Sequence, residues 1–119
     1  MDINIQKIEV IASGYEYLGK LANGIEQIVE FLRAGEVKRA SDLISELIEG
    51  LAWLIDALVL TQDIQVERID ISVCRELLEQ VVESFKNQDY VLLSDLFDYE
   101  LIPLLIEWKE KLGKTIEKQ

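Results

Sequence analysis

The chain contains no histidine and a single cysteine, Cys74. Without histidine the sequence cannot supply a Ser-His-Asp triad or a Cys-His pair, the arrangements that commonly activate a protein nucleophile. A lone cysteine cannot form an intramolecular disulfide, and such sparse use of cysteine is typical of a cytoplasmic protein. Because Cys74 lies on an apolar helical stripe, we expect a buried core residue and not a reactive thiol.

Basic residues are also scarce. Lysine and arginine number 12 against 23 acidic residues, which gives a formal charge of −11. This balance disfavours nucleic acids and anionic membrane surfaces as partners, because binding to either depends on positive charge. It is compatible with a basic protein partner, and equally with a charge that only maintains solubility.

Long apolar runs are absent as well. No stretch approaches the roughly 20 apolar residues that a membrane-spanning helix needs. The beginning of the chain lacks the basic region and apolar block of a secretory signal. We therefore expect a cytoplasmic protein that is not inserted in a membrane.

Apolar residues at helical spacing, by contrast, are abundant. They recur in steps of three and four, which keeps one face of an α-helix apolar. The first two stripes consist of Ile8, Ile11, Tyr15, Leu18, Ala22, Ile25, Val29 and Leu32, and of Val37, Ala40, Ile44, Leu47, Leu51, Leu54 and Leu58. The pattern predicts a single all-α domain over residues 1–119, a four-helix up-down bundle with a long first helical hairpin and a proline-kinked last helix.

The expected helices cover residues 4–33, 36–61, 71–86 and 89–112. Gly35 suits the left-handed residue that ends a helix, Asp89 suits an N-cap, and Gly113 suits a stop. The first helix contains three glycines, so an irregular segment before Gly14 is the alternative. Pro103 removes one hydrogen bond inside the last helix. Because the stripe Tyr90, Leu93, Phe97, Leu101, Leu104, Trp108 continues across it, we predict a kink and not a stop.

The second helix carries another pattern on the side away from its apolar stripe. Its members again follow three-four spacing but are offset by two positions, about 200° around the helix: Asp42, Glu46, Glu49, Trp53 and Asp56. Tryptophan is enriched where interfaces concentrate binding energy, so the pattern favours a contact surface anchored by Trp53. A solvated acidic face with one stray tryptophan is the alternative.

Further large apolar residues lie off the main stripes of the first and fourth helices: Tyr17, Phe31, Leu92, Leu96 and Ile106. A helix that is apolar around most of its circumference is either central in its bundle or buried against a second subunit. No helix of a four-helix bundle is central. The sequence therefore predicts self-association, and a symmetric dimer is the commonest closed arrangement.

Carboxylates near Pro103 offer a chemical alternative. Asp95 and Asp98 are three residues apart on one helix face, and Tyr99 and Glu100 follow. Helix bundles that hold metals generally add Glu-x-x-His motifs, which this chain cannot supply. A divalent cation held by oxygen alone, or a small ligand, is the remaining form of this hypothesis. A solvated acidic face is the simpler interpretation, and we expect no metal and no cofactor.

The segment from Asn87 to Leu105, NQDYVLLSDLFDYELIPLL, together with Trp108, resembles a family of small, helical, uncharacterised bacterial proteins of the Firmicutes type. The resemblance covers about a fifth of the chain. It implies a cytoplasmic bacterial protein. No activity is assigned to that family, so the resemblance transfers no catalytic residue.

These observations predict a non-enzymatic adaptor or chaperone-like module that self-associates and binds a protein partner through its helix faces. Trp53, Tyr17 and Phe31 would supply apolar anchors, and the carboxylates of the second helix would favour a basic partner. A bundle that binds a small ligand or a divalent metal near Pro103 is the second hypothesis. A subunit of a larger complex is the third.

Overall fold

A computed structural model describes residues 3–119, and within them the chain is helical with no strand. The elements are α1 (Ile3–Arg33), α2 (Val37–Leu60), a short 3-10 turn (Gln62–Ile64), α3 (Ser72–Lys86), α4 (Tyr90–Asp95), a π-helical segment (Leu96–Leu101) and α5 (Ile102–Glu117). The last three run on without a break and form the fourth helix. The prediction of an all-α fold with four helices is therefore confirmed.

The first helix is continuous through its glycines, so the alternative of an irregular segment before Gly14 is wrong. Gly14 is buried where α1 meets its neighbours: a Cβ there would lie 3.5 Å from side-chain atoms of Leu54 and of Leu112. These are ordinary van der Waals distances, so the packing at this point has room for a methyl group but not for a large side chain. Tertiary packing on both sides of α1 outweighs the low helix propensity of glycine.

Two turns of the same design join the helix pairs. Gly35 has φ +78, and the backbone N–H of Glu36 donates to the carbonyl of Phe31 at 2.8 Å. Gln88 repeats the left-handed residue with φ 57, and the N–H of Asp89 donates to the carbonyl of Ser84 at 2.9 Å. Both are Schellman turns, which satisfy the last carbonyls of a helix.

Contacts between the helices establish the up-down order. Lys7, near the start of α1, pairs with Asp63 just beyond α2. At the opposite end of α1, Arg33 pairs with Asp98 of the π-helical segment. Along its length, α1 packs against both α2 and α5, while α3 packs against α4 and the π-helical segment. Neighbouring helices thus run antiparallel around one apolar core, which includes the fully buried Cys74.

The fourth helix differs from its prediction in register. Its buried apolar residues include Leu105 and not Leu104; they are Leu93, Leu96, Phe97, Leu101, Leu105, Trp108 and Leu112. Leu93, Phe97, Leu101 and Leu105 follow one another at intervals of four residues. Three successive steps of four residues outrun an α-helix by about one residue, since three turns contain about 10.8 residues. The π-helical segment absorbs that extra residue. The helix continues across Pro103, as predicted, and its local adjustment is this π-helical turn.

The fourth helix also extends beyond its expected end. It passes through Gly113 and ends at Glu117, so the prediction of a stop at Gly113 is wrong. Thr115 is fully buried, and its hydroxyl oxygen accepts a hydrogen bond from the backbone N–H of Val66 at 2.9 Å. This tertiary contact with the α2–α3 loop holds the last turn in helical form.

Candidate interaction surface

The outer face of α2 presents one large aromatic side chain in a fixed position. Trp53 is 48% exposed. Its ring meets the ring of Tyr17 from α1 edge to face, with centroids 5.5 Å apart and planes at 87°. This is the favourable T-shaped arrangement of two aromatic rings. The tryptophan is therefore both accessible and supported from one side.

Gly50 is the reason that Tyr17 can lie there. A Cβ at position 50 would collide with the hydroxyl oxygen of Tyr17, and it would come within 3.3 Å of a Leu21 methyl carbon. The absence of a side chain thus leaves a notch in α2 into which the tyrosine fits. Gly50 lies one turn before Trp53, so the tyrosine that occupies this notch is positioned to contact the exposed tryptophan ring.

A surface cavity of about 460 Å³ opens beside the aromatic pair. It is lined by Ser13, Glu16, Tyr17, Lys20 and Trp53. A smaller cavity of about 180 Å³ shares Tyr17 and Lys20 and continues along the α1–α2 groove to Glu46. The two make a shallow groove with an aromatic centre and charged edges, the composition of a protein contact surface.

The predicted carboxylates are all exposed on α2: Asp42, Glu46, Glu49 and Asp56. Asp42 lies 3.4 Å from the Lys38 ammonium, one turn earlier. Within residues 3–119 the other three carboxylates take part in no ion pair. No lysine or arginine occurs between Arg39 and Arg68. The face is therefore predominantly negative, with Lys38 compensating Asp42 at one end and no partner for the other three carboxylates in the described residues.

Phe31 is not part of this surface. It is half-buried against the core, and the guanidinium of Arg39 lies 5.7 Å from its ring centroid. Fourteen residues of helix separate it from Tyr17, a distance of about 21 Å. The structure brings two of the three predicted aromatic anchors together and leaves the third at the α1–α2 turn.

The three predicted contact residues of the fourth helix also differ in exposure. Leu92 is 46% exposed and Ile106 is 50% exposed. Leu96 is only 4% exposed, so its prediction as a surface contact is wrong. It begins the π-helical segment, whose wider turn brings both Leu96 and Phe97 onto the buried side.

The carboxylates near Pro103 are already engaged by a cation of the chain itself. The guanidinium of Arg33 donates to Asp98 at 2.9 Å and to Asp95 at 3.4 Å. The hydrogen bond to Asp98 is the main reason that the pKa of Arg33 is raised. Across residues 3–119 no three histidine, cysteine or acidic side chains are grouped as a metal site requires. The geometry therefore gives the metal hypothesis no support.

Cys74 shows the chemistry of a core thiol. Burial raises its pKa to about 11, so the thiol is protonated at neutral pH. A thiolate is the nucleophilic form of cysteine, and its absence makes this residue inert. The interpretation of Cys74 as a packing residue agrees with this environment.

Sequence reasoning missed Gly50 as the partner of Tyr17. The available signal was a glycine in the middle of a strong helix, three residues before an exposed tryptophan. It also missed the contact in which the Lys109 ammonium donates to the Tyr15 carbonyl at 3.1 Å and lies 4.0 Å from the Tyr15 ring centroid. Both depend on how α1 is rotated against its neighbours, which periodicity alone does not specify.

The fold and this surface together define an acidic four-helix bundle with a supported aromatic side chain on the acidic outer face of α2. The chain belongs to the family described as a domain of unknown function, DUF8042, whose sequence profile matches residues 9–111. The chain matches none of the curated proteins and none of the solved structures with which it was compared. Of the helices described for residues 3–119, none has the length and apolar character needed to cross a bilayer.

Proposed function

We propose that the protein is a non-enzymatic binding module of the cytoplasm, which self-associates and binds a basic protein partner through exposed helix faces. The observation that carries the proposal is Trp53, 48% exposed and braced against Tyr17. A rigid aromatic group loses little conformational freedom on binding, so it makes an efficient anchor.

The surroundings of Trp53 support a basic partner. Glu46, Glu49 and Asp56 are exposed on the same helix and have no ion pair within the part of the chain that the structure describes. Complementary charge on a partner would speed encounter and select against acidic competitors. The cavity of about 460 Å³ beside Trp53 gives an apolar side chain of that partner a place to pack.

Self-association is supported by the amount of apolar surface that the isolated chain leaves exposed. Leu60, Val91 and Leu92 are 71%, 75% and 46% exposed, in addition to Trp53. Scattered exposed apolar residues are normal, but several large ones on a small bundle favour burial against another subunit. A symmetric pair is the commonest way to achieve this burial.

Sedimentation velocity with Trp53→Ala tests the proposal, with Val82→Ala of α3 as the control because it removes exposed apolar surface outside the proposed contact. We expect the tryptophan variant to weaken self-association or capture of a basic partner by about tenfold or more, the scale of an interface hot spot. The control should change neither by more than about twofold. The proposal fails if Trp53→Ala leaves both processes unchanged.

A further inference from the structure

A second groove lies on a different side of the bundle, between α3 and the fourth helix. It has a volume of about 440 Å³ and lies beside Pro103, where the π-helical segment meets α5. Val73 of α3 and Tyr99 of the π-helical segment line it and are 53% and 68% exposed. The α3/π groove, as we call it, therefore offers apolar surface from two antiparallel helices.

Acidic side chains border the α3/π groove, and no basic residue lines it. Glu76 comes from α3, whereas Glu100 and Glu107 come from the fourth helix. Glu107 lies 3.3 Å from the ammonium of Lys111. Within residues 3–119 neither Glu76 nor Glu100 has an ion pair. An occupant that brings positive charge would therefore find two unpaired carboxylates in this groove.

The π-helical segment explains why Tyr99 is available. Its wider turn places Leu96, Phe97 and Leu101 in the core and leaves Tyr99 outside. Arg33, held by Asp98, lies 5.9 Å from the Tyr99 ring centroid, within the range of a cation–π contact. The ring is thus positioned by the fold, and short π-helical turns are common at functional sites.

We propose that the α3/π groove binds a basic amphipathic segment of a partner protein. Apolar side chains of that segment would pack on Val73, Tyr99 and Pro103, and its lysines or arginines would pair with Glu76 and Glu100. This is the helix-in-groove mode of recognition, in which apolar contacts give affinity and charge gives selectivity. The site is separate from the outer face of α2, so it does not depend on the function proposed for Trp53.

A second copy of this chain is a poorer occupant of the groove. The copy would carry a net charge of −11, and half of its 12 basic side chains are already engaged in ion pairs. Six basic residues already form ion pairs within the described chain: Lys7, Arg33, Lys38, Arg39, Lys111 and Lys114. A basic segment from another protein supplies the missing charge without breaking these pairs.

Calorimetric titration with a 14-residue amphipathic peptide of leucine and lysine tests the inference, with a leucine–glutamate peptide as the negative probe. We expect the Glu76→Gln/Glu100→Gln variant to bind the lysine peptide about tenfold more weakly. Tyr99→Ala should weaken binding about threefold to fivefold. The matched control is Glu26→Gln/Glu30→Gln, which removes the same charge from exposed positions of α1 and should change the affinity less than about twofold.

Three results would overturn the inference. Equal weakening by the two double variants would mean that net charge, and not the groove, binds the peptide. Peptide-induced NMR shifts that avoid Val73, Gln80 and Glu100 would place the binding elsewhere. If the wild type is a dimer and the Tyr99→Ala variant is a monomer, the occupant of the groove is a second copy of the chain. Far-ultraviolet circular dichroism of each variant verifies that the bundle is intact, and none of these results bears on Trp53.

Discussion

At the scale of single residues, two glycines in helix interiors have opposite surroundings. Gly50 makes room for the ring of Tyr17, whereas Gly24 has no heavy atom within 4 Å of the place where a Cβ would stand. Both occupy helix interiors, in which alanine is intrinsically preferred by about 1 kcal/mol. Their neighbours alone decide whether a methyl group at each position is favourable.

The two glycines therefore form a matched pair of substitutions. We expect Gly24→Ala to raise the free energy of unfolding by about 0.5–1 kcal/mol. Gly50→Ala should lower it by about 1 kcal/mol, because displacing Tyr17 costs more than the helix gains. Urea denaturation measures both, and the fluorescence of Trp53 should change only in Gly50→Ala. Equal stabilisation by the two variants would contradict the notch described for Tyr17.

The raised pKa of Cys74 predicts how the free energy of unfolding changes at alkaline pH. Its pKa is about 11 in the fold against 9.0 for an unperturbed thiol. Below pH 9 the thiol is protonated in both states and adds no pH dependence. Between pH 9 and pH 11 only the unfolded chain releases the proton, so stability falls as the pH rises, by at most about 1.4 kcal/mol per pH unit.

The measurement is the difference in unfolding free energy between the wild type and Cys74→Ala, followed from pH 8 to pH 11. Subtracting the variant removes the titration of lysines and tyrosines that both proteins share. The wild type should lose stability relative to the variant above pH 9. A constant difference over this range would show that the thiol titrates normally in the fold.

At the scale of elements, the helix ends show how closely local sequence governs turns. Gly35 and Gln88 hold equivalent positions in two Schellman turns, with φ values of 78 and 57. A residue with a Cβ is strained in this left-handed region, whereas glycine is not. The second turn thus carries a cost that the first avoids.

Exchanging the residue types tests that cost. Gln88→Gly should stabilise the protein by about 0.5–1 kcal/mol, and Gly35→Ala should destabilise it by about 1 kcal/mol. Thermal and urea denaturation report both values. Because Gln88 and Gly35 are exposed, a loss of stability in Gln88→Gly would mean that the glutamine side chain contributes a contact that outweighs backbone strain.

The elements also show where sequence reasoning reached its limit. Three-four spacing located all four helices, and Asp89 caps α4 as expected by accepting the N–H of Leu92 at 3.1 Å. The same spacing placed Leu96 outside the core, which was wrong, and Leu104 within it, whereas Leu104 is only partly buried against the core. A pattern read at 3.6 residues per turn cannot anticipate a π-helical segment, whose register depends on packing against α1 and α3.

Surface residues were harder to predict than core residues. Trp53 and Tyr17 were found because they depart from an apolar stripe, but that departure says nothing about whether two helices bring them together. Arg33 engages Asp95 and Asp98 from 62 and 65 positions away in the chain. Contacts of this range follow from helix rotation and tilt. The sequence alone therefore left a metal site at Asp95 and Asp98 as a hypothesis, and only the fold showed that Arg33 pairs with them.

At the scale of the whole molecule, net charge separates the two binding activities that we propose. Two copies of a chain with charge −11 repel each other, whereas a basic partner is attracted. Salt screens both effects, and the Debye length falls from about 30 Å at 0.01 M to about 8 Å at 0.15 M. The two equilibria should therefore respond to salt in opposite directions.

We expect self-association to strengthen as sodium chloride is raised from 10 to 500 mM, because screening removes repulsion between like-charged subunits while apolar contacts persist. Binding of a basic peptide should weaken over the same range. Sedimentation velocity measures the first equilibrium and calorimetry the second, on the same protein. If self-association weakened with salt, charge complementarity between subunits would dominate that contact. The dimer would then be held by ion pairs, and not by the exposed apolar side chains of α2 and α4.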